Sequence, residues 1–221
     1  MARDGASDAA WPLRVTSLIG GQIKRHRQGR ITARELADRC EQLGHRVETQ
    51  VIANMEAGRR TNVSAAELIV LAEALDVPTV ALLFPVGEVA EVEALPGDMR
   101  DTWDALRRFT GEPPQTFPSR ERSEVWRAAS EPLRLYRQHQ RLLSDLDESD
   151  RRKSQALTAK LGLGTESERE AADKVLDAES WAVRHVEARI KDLRQRMRDQ
   201  GITPPPLSER LAYLDPEEAT P

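Results

Sequence analysis

The side chains best suited to chemistry are amides and small groups clustered between residues 49 and 55. Gln and Asn can each form two hydrogen bonds with adenine in the major groove of DNA, and a small apolar side chain can contact the methyl group of thymine. Helical spacing places Gln50 and Asn54 on one side of a helix and the apolar pair Ile52 and Met55 on the other. Such a helix could bury one side and present the other to base edges.

Charge is distributed unevenly along the 221 residues, which include 33 basic and 37 acidic side chains. Residues 1–60 contain eleven basic and seven acidic residues, so a near-neutral total hides a basic first segment and an acidic remainder. This asymmetry indicates a polyanion as the partner of the first segment, although a solvated basic helix face would have the same composition.

Several classes of protein are disfavoured by what the sequence lacks. The single cysteine, Cys40, excludes an intrachain disulfide and a cysteine-based zinc cluster, and it fits a reducing compartment. The first ten residues do not resemble a secretory signal, and no window approaches the roughly 18 apolar residues of a membrane span. No phosphate loop, nucleophile motif or metal signature is present. We expect a cytoplasmic, nucleoid-associated protein that is not an enzyme, binds no cofactor and contacts no membrane.

The elements that must position the candidate helix are themselves short helices, which the sequence predicts over residues 13–86. Thr32 is a good N-cap for the second helix, and Ser64 with Glu67 forms a capping box for the fourth. Gly58 would end the third helix in a left-handed conformation. The pattern predicts five helices packed as one compact domain.

Three segments of this domain resemble a known family. They are residues 31–37 (ITARELA), residues 47–60 (VETQVIANMEAGRR) and residues 67–77 (ELIVLAEALDV). Within them, Glu-x-Gly-Arg-Arg at residues 56–60 and Leu-x-x-Leu-Ala-x-x-Leu at residues 68–75 are the most specific elements. The chain here resembles the Cro/C1-type (XRE) helix-turn-helix family of bacterial and phage regulators. The resemblance implies a five-helix domain whose third helix enters the major groove.

The resemblance and the helical spacing together predict two sets of DNA contacts. The predicted base contacts are Thr49, Gln50, Val51, Ala53 and Asn54. The predicted phosphate contacts are Thr32 and Arg34 at the start of the second helix, where free amides favour an anion, and Arg59, Arg60, Thr61 and Asn62 after the third. Phosphate contacts supply affinity and register, whereas base contacts supply sequence preference.

The family often pairs an arginine of its first helix with the glutamate that matches Glu56. Arg27 is the candidate for that arginine, with Arg25 and His26 as alternatives. The resemblance thereby predicts an ion pair that would hold the first helix against the third.

The sequence departs from the family pattern at two places. Ala33 stands where the family frequently has glutamine, so we expect one contact from the second helix to be missing. The link between helices two and three is several residues longer than usual, and helix two could continue through Leu43 with Gly44 ending it. The longer link would change how the domain approaches DNA.

The C-terminal half predicts a linker and a second helical unit. Residues 87–118 are rich in Pro and Gly and indicate a linker with one short helix, about Asp98 to Phe109. Residues 119–201 predict an antiparallel, coiled-coil-like helical hairpin, in which Pro132 could break the first helix and Ser130 could recap it. The predicted fold class is all-α: the helix-turn-helix domain, the linker and this hairpin.

Both ends of the chain are predicted to lack fixed structure. Residues 1–12 indicate a flexible tail, and residues 202–221 indicate a mobile tail that is rich in proline and acidic residues.

The hairpin carries an apolar stripe at heptad spacing that we expect to bind a second copy of the chain or a different protein. His139 lies on the same stripe of the first helix. The predicted stripe residues are Leu135, Leu142, Leu176, Val183, Val186, Ile190, Leu193 and Met197.

These observations predict a sequence-specific transcriptional regulator, a repressor, that binds double-stranded DNA as a homodimer on a palindromic operator. The alternative is an interaction protein such as an antitoxin or assembly adaptor. In that case the hairpin would bind another protein and the helix-turn-helix would be autoregulatory. A ligand-gated regulator with a pocket near Trp103 and Trp181 is a third possibility.

Overall fold

The computed structural model describes residues 5–114, 116–162 and 165–215, with side chains described from Ala10 onward. The chain is 69% helical and forms two compact units, Met1–Thr116 and Phe117–Pro221. The expectation of a mostly helical chain is confirmed. The expectation of an all-α chain is wrong in one respect, because the first unit also contains a two-stranded sheet. No described helix is long and apolar enough to span a membrane.

The first unit begins with five helices, and the second and fourth of them start at capping boxes. Thr32 and Ser64 each accept a hydrogen bond from the amide three residues on, and Glu35 and Glu67 bond back to the cap amides. The helices are α1 (Gly5–Arg27), α2 (Ala33–Gln42), α3 (Thr49–Glu56), α4 (Ala65–Ala74) and α5 (Thr79–Leu83).

The flexible tail predicted over residues 1–12 is contradicted from Gly5 onward, where α1 already begins. The indole of Trp11 donates a hydrogen bond of 3.0 Å to the backbone carbonyl of Glu93. This contact fixes the first turns of α1 to a segment 82 residues away, which local sequence patterns cannot indicate. Residues 1–4 of that prediction lie outside the described residues.

The core of the first unit is aliphatic and comes from all five helices. Ile23, Leu36, Ile52, Leu71 and Leu82 are fully or almost fully buried in it. Cys40 belongs to the same cluster, and burial raises the pKa of its thiol. The cysteine is therefore a small core residue.

Residues 87–118 do not form the predicted linker with a single helix. Strands β1 (Glu91–Leu95) and β2 (Asp98–Asp101) pair antiparallel across a turn in which Gly97 has φ +71°, and α6 (Thr102–Phe109) follows directly. Val92 is the one buried hydrophobic residue of the two strands. The strands also contact α6, and β1 contacts α1. Strands β1 and β2 and helix α6 belong to the first compact unit.

The second unit consists of α7 (Arg120–Leu161), α8 (Glu166–Asp199) and a 3-10 helix (Glu209–Leu214). Ion pairs Lys160–Asp173 and Arg152–Glu179 join the two long helices in antiparallel order. The predicted break in α7 is wrong. Pro132 lies inside the continuous helix, and the Ser130 hydroxyl donates to the Trp126 carbonyl of the preceding turn instead of starting a new helix.

The apolar stripe is not available as the predicted dimer or partner surface. Among its residues, all except Leu176 are buried within one chain, and Leu176 is half-buried. The two helices cover each other's stripe, and Leu211 and Leu214 complete the same cluster. Burial against the chain's own segments satisfies the hydrophobic driving force that would otherwise favour association.

The mobile tail predicted over residues 202–221 is also contradicted up to Asp215. Leu211, Leu214 and Asp215 are buried against the helices, and Asp215 forms ion pairs with Arg194 and Arg198. The apolar residues of this segment pack on the helices, and a buried ion pair fixes its end, which composition alone does not reveal. The rest of the predicted tail lies outside the described residues.

Candidate nucleic-acid interface

Helix α3 separates an apolar side from a polar side in the way its sequence predicts. Ile52 and Met55 are fully buried in the core of the first unit. Thr49, Gln50 and Ala53 are exposed, whereas Val51 and Asn54 are half-buried. The structure therefore places three of the five predicted base contacts on open surface and two at its margin.

The amides of Gln50 and Asn54 are joined by a hydrogen bond along the exposed side of α3. Gln50 Nε2 donates to Asn54 Oδ1 at 3.2 Å. This bond leaves the Gln50 carbonyl oxygen as an acceptor and the Asn54 amino group as a donor. An acceptor beside a donor is the arrangement that the N6 and N7 atoms of adenine require of a protein.

The link between α2 and α3 spans residues 43–48 and has a fixed conformation at both ends. The predicted end of α2 at Gly44 is confirmed: Gly44 has φ +86°, its amide donates to Glu41, and the next amide donates to the Cys40 carbonyl. Val47 is buried and anchors the other end of the link. Arg46, 71% exposed, lies 3.7 Å from Glu48.

Helix α1 supports α3 from behind through a bidentate ion pair. Arg27 Nε and Nη2 donate to the two carboxylate oxygens of Glu56 at 2.6 and 2.8 Å. The candidate chosen by resemblance is thus confirmed, and Arg25 pairs with Glu88 instead. The hydrogen bond with Glu56 raises the pKa of Arg27. A partly buried bidentate pair orients α3 more strictly than a single contact would.

The predicted phosphate contacts differ in their availability. Arg34, Arg59 and Asn62 are exposed, and neither arginine has an ion pair within the described part of the chain. The Thr32 hydroxyl oxygen accepts a hydrogen bond from the backbone amide of Glu35 in the capping box. Thr61 is exposed, and its carbonyl accepts a hydrogen bond from the Thr16 hydroxyl at 3.4 Å.

Arg60 does not fit its predicted role as a phosphate contact. Its guanidinium lies 2.8 Å from Glu67, and the side chain is only 26% exposed. Burial tends to raise the pKa of Glu67, but hydrogen bonds from Ser64 and the charge of Arg60 outweigh it and lower that pKa. Arg60 therefore stabilises the start of α4, because the capping-box carboxylate attracts it inward.

Much of the basic excess of residues 1–60 is used in ion pairs within the chain. Arg14 pairs with Glu93 at 2.5 Å, and Arg39 lies 3.2 Å from Asp76. The partners lie outside residues 1–60, so the count of charges in that segment overstates its free positive charge. Arg34 and Arg59 remain exposed without an ion pair in the described part of the chain, and Arg46 is exposed near Glu48.

The chain matches no family model, no curated protein and no solved structure in the three comparisons made. The chemical interpretation of α2 and α3 therefore depends on their own side chains. Those side chains offer amide donors and acceptors on one helix face, with exposed guanidinium groups at either end of it.

Proposed function

We propose that the first unit is a helix-turn-helix domain of the Cro/C1 type that binds double-stranded DNA sequence-specifically, with α3 in the major groove. The observation that carries the proposal is the division of α3 into a buried side, Ile52 and Met55, and an amide-bearing side, Gln50 and Asn54. A major groove admits one such helix, and the Gln50–Asn54 pair matches the hydrogen-bonding edge of adenine.

The proposed set of DNA contacts is smaller than the set that the sequence alone predicts. Thr49, Gln50 and Ala53 would face the bases, with Val51 and Asn54 at the edge of the contact. Arg34 and Arg59 would bind phosphates on either side of the groove. Arg60 is excluded because it is committed to Glu67.

The proposed biological role is transcriptional regulation as a repressor, acting as a homodimer on a palindromic site. Two-fold operators require two copies of the reading helix about one DNA turn apart. The dimer contact must come from surfaces other than the stripe between α7 and α8, because that stripe is buried within one chain.

The decisive experiment selects DNA fragments from a random pool with the purified protein at stated salt concentrations. We expect an enriched motif with adenine in each half-site, and binding that weakens as salt increases. A variant with Gln50→Ala and Asn54→Ala should enrich a less specific motif. The matched control, Gln155→Ala in α7, alters an exposed amide of the second unit and should leave the motif unchanged. Failure to enrich any motif would contradict the proposal.

A further inference from the structure

The C-terminal segment of residues 202–215, called the strap below, is held on α7 and α8 by polar as well as apolar contacts. The Tyr136 hydroxyl donates to the Thr203 carbonyl at 2.7 Å, and Arg210 forms ion pairs with Asp147 and Asp150. The Tyr213 hydroxyl donates to Glu187 at 2.5 Å. Leu211 and Leu214 anchor the strap in the apolar cluster of α7 and α8, with Ile202 and Leu207 packed beside them, and the hydrogen bonds and ion pairs add to these contacts.

Arg194 of α8 binds the strap at two further points. Its side chain is fully buried, at 1% exposure. Its Nε donates to Asp215 at 2.6 Å, and its Nη1 donates to the Pro205 carbonyl at 2.6 Å. Both acceptors belong to the strap. A buried guanidinium has to keep its partners, because leaving a charge unpaired in the interior is costly.

Arg194 also contacts His139 of α7, which is equally buried. Arg194 Nη1 lies 3.1 Å from His139 Nε2. Because a guanidinium can only donate, Nε2 must be the acceptor, and His139 must be neutral with its proton on Nδ1. A second proton on the ring would place an N–H group against an N–H group and two positive charges in contact.

We propose that protonation of His139 releases the strap from α7 and α8. The proton would convert Nε2 from acceptor to donor and repel Arg194, which holds both Asp215 and the Pro205 carbonyl. The charged groups that face His139 are Arg194 directly and, beyond it, Asp215 and Arg198.

The release is confined to the strap because the long helices have their own contact. Leu135, Leu142, Leu146, Val186 and Ile190 bury one another between α7 and α8. The strap, in contrast, leaves α8 at Gly201, with φ +70°, and continues through three prolines that form no helix. Its release costs the contacts of Ile202, Leu207, Leu211, Leu214 and Asp215 and leaves the helix pair intact.

The direction of the pH effect follows from the environment of the imidazole. Burial, and next the charge of Arg194, lower the pKa of His139 below its ordinary value. Release of the strap would open the imidazole to solvent and free the Arg194 guanidinium, which Asp215 and the Pro205 carbonyl hold, to turn away from it. Both changes raise the pKa of His139, so the released form binds the proton more tightly. Release is therefore favoured as pH falls below about 6.5.

The test measures hydrogen exchange of strap amides in the full chain at about pH 7.5 and about pH 5, corrected for the chemical exchange rate at each pH. We expect protection of the strap to fall roughly tenfold or more at the lower pH, while the amides of α7 and α8 between Leu135 and Ile190 keep their protection. An unchanged strap would overturn the proposal.

Three variants separate His139 from other titrating groups. His139→Gln keeps an acceptor for Arg194 but cannot gain a proton, so its strap should stay protected at both pH values. His185→Gln alters an exposed histidine of the same unit and should behave as the unmodified chain. Asp215→Asn removes the charged partner and should release the strap at both pH values.

Either of two results contradicts the switch: a His139→Gln strap that loses protection as the unmodified one does, or an Asp215→Asn strap that stays protected. If His139→Gln does not fold, the unmodified chain still tests the switch. As pH is lowered, its strap amides must lose protection before the amides of α7 and α8 do, and simultaneous loss would contradict the switch. None of these outcomes depends on DNA binding, so the inference and the proposed function can fail separately.

Discussion

The carbonyl oxygen of Met55 in α3 lies 2.0 Å from the position that a β-carbon would occupy on Gly20 in α1. The Met55 carbonyl carbon is 2.6 Å from the same position, so the backbones of the two helices meet at this point. Only a residue without a side chain allows that approach. Together with the Arg27–Glu56 ion pair, it sets the position of α3 against the rest of the first unit.

Gly20→Ala should destabilise the first unit by about 1–3 kcal/mol, because the obstructing atoms belong to backbone and cannot rotate away. Gly21→Ala is the matched control: the neighbouring glycine has no atom within 4 Å of an added β-carbon. Because alanine has the better helix propensity, Gly21→Ala should stabilise the first unit by roughly 0.5–1 kcal/mol. Urea unfolding of both variants measures the difference, and equal stabilities would show that the helices do not meet as described.

Gln50→Ala should weaken binding to the selected DNA site by about 1–3 kcal/mol and relax preference at one base pair. The reason is the loss of the acceptor that Gln50 offers beside the Asn54 donor. Binding measured with all four bases at each position identifies the relaxed pair. A variant that loses affinity equally for every sequence would indicate that Gln50 contributes no base contact.

Arg59→Ala should weaken binding to all DNA sequences alike and lower the salt slope of the binding constant by about 1. Arg59 is exposed, and a phosphate contact by it would displace one counterion. Arg60→Ala is the comparison, since its side chain is paired with Glu67. We expect Arg60→Ala to leave the salt slope unchanged and to lower thermal stability instead. The reverse pattern would mean that the two arginines have exchanged roles on DNA.

Tyr213 should titrate far above an ordinary tyrosine. Burial and the hydrogen bond with Glu187 raise the pKa of Tyr213 to about 12. Between about pH 10 and about pH 12 the unfolded chain has lost a proton that the folded chain retains, so stability decreases as pH rises through that window. Ultraviolet absorbance should show a phenolate transition at about pH 12. The Tyr213→Phe variant should lose this transition, and the Tyr136→Phe variant should keep it. A transition near pH 10 for Tyr213 would contradict the hydrogen bond with Glu187.

The features predictable from sequence are those fixed by neighbours along the chain. Thr32 and Ser64 cap their helices because the required partner is three residues away, and Gly44 ends α2 because only the local backbone must turn. The two sides of α3 follow from helical spacing in the same way. Arg27 was identifiable only through resemblance, since its partner is 29 residues distant.

The features that sequence did not predict depend on distant partners. Strand β1 contains charged residues and one buried valine, so its apolar pattern is weak, and it is fixed by β2 and by the indole of Trp11. The strap is ordered by Arg194, 21 residues before its partner Asp215. Arg60 turns inward because a capping carboxylate is nearby in space. A turn signal at Pro96-Gly97 was the one local indication of the hairpin.

Cys40 is the chain's single thiol, and it is sealed in the core of the first unit. A cysteine introduced on any exposed surface would consequently be the only one that a maleimide reagent reaches in the folded protein. The native sequence thus accepts single-site spin or dye labels, on α3 or on the strap, without prior removal of other thiols.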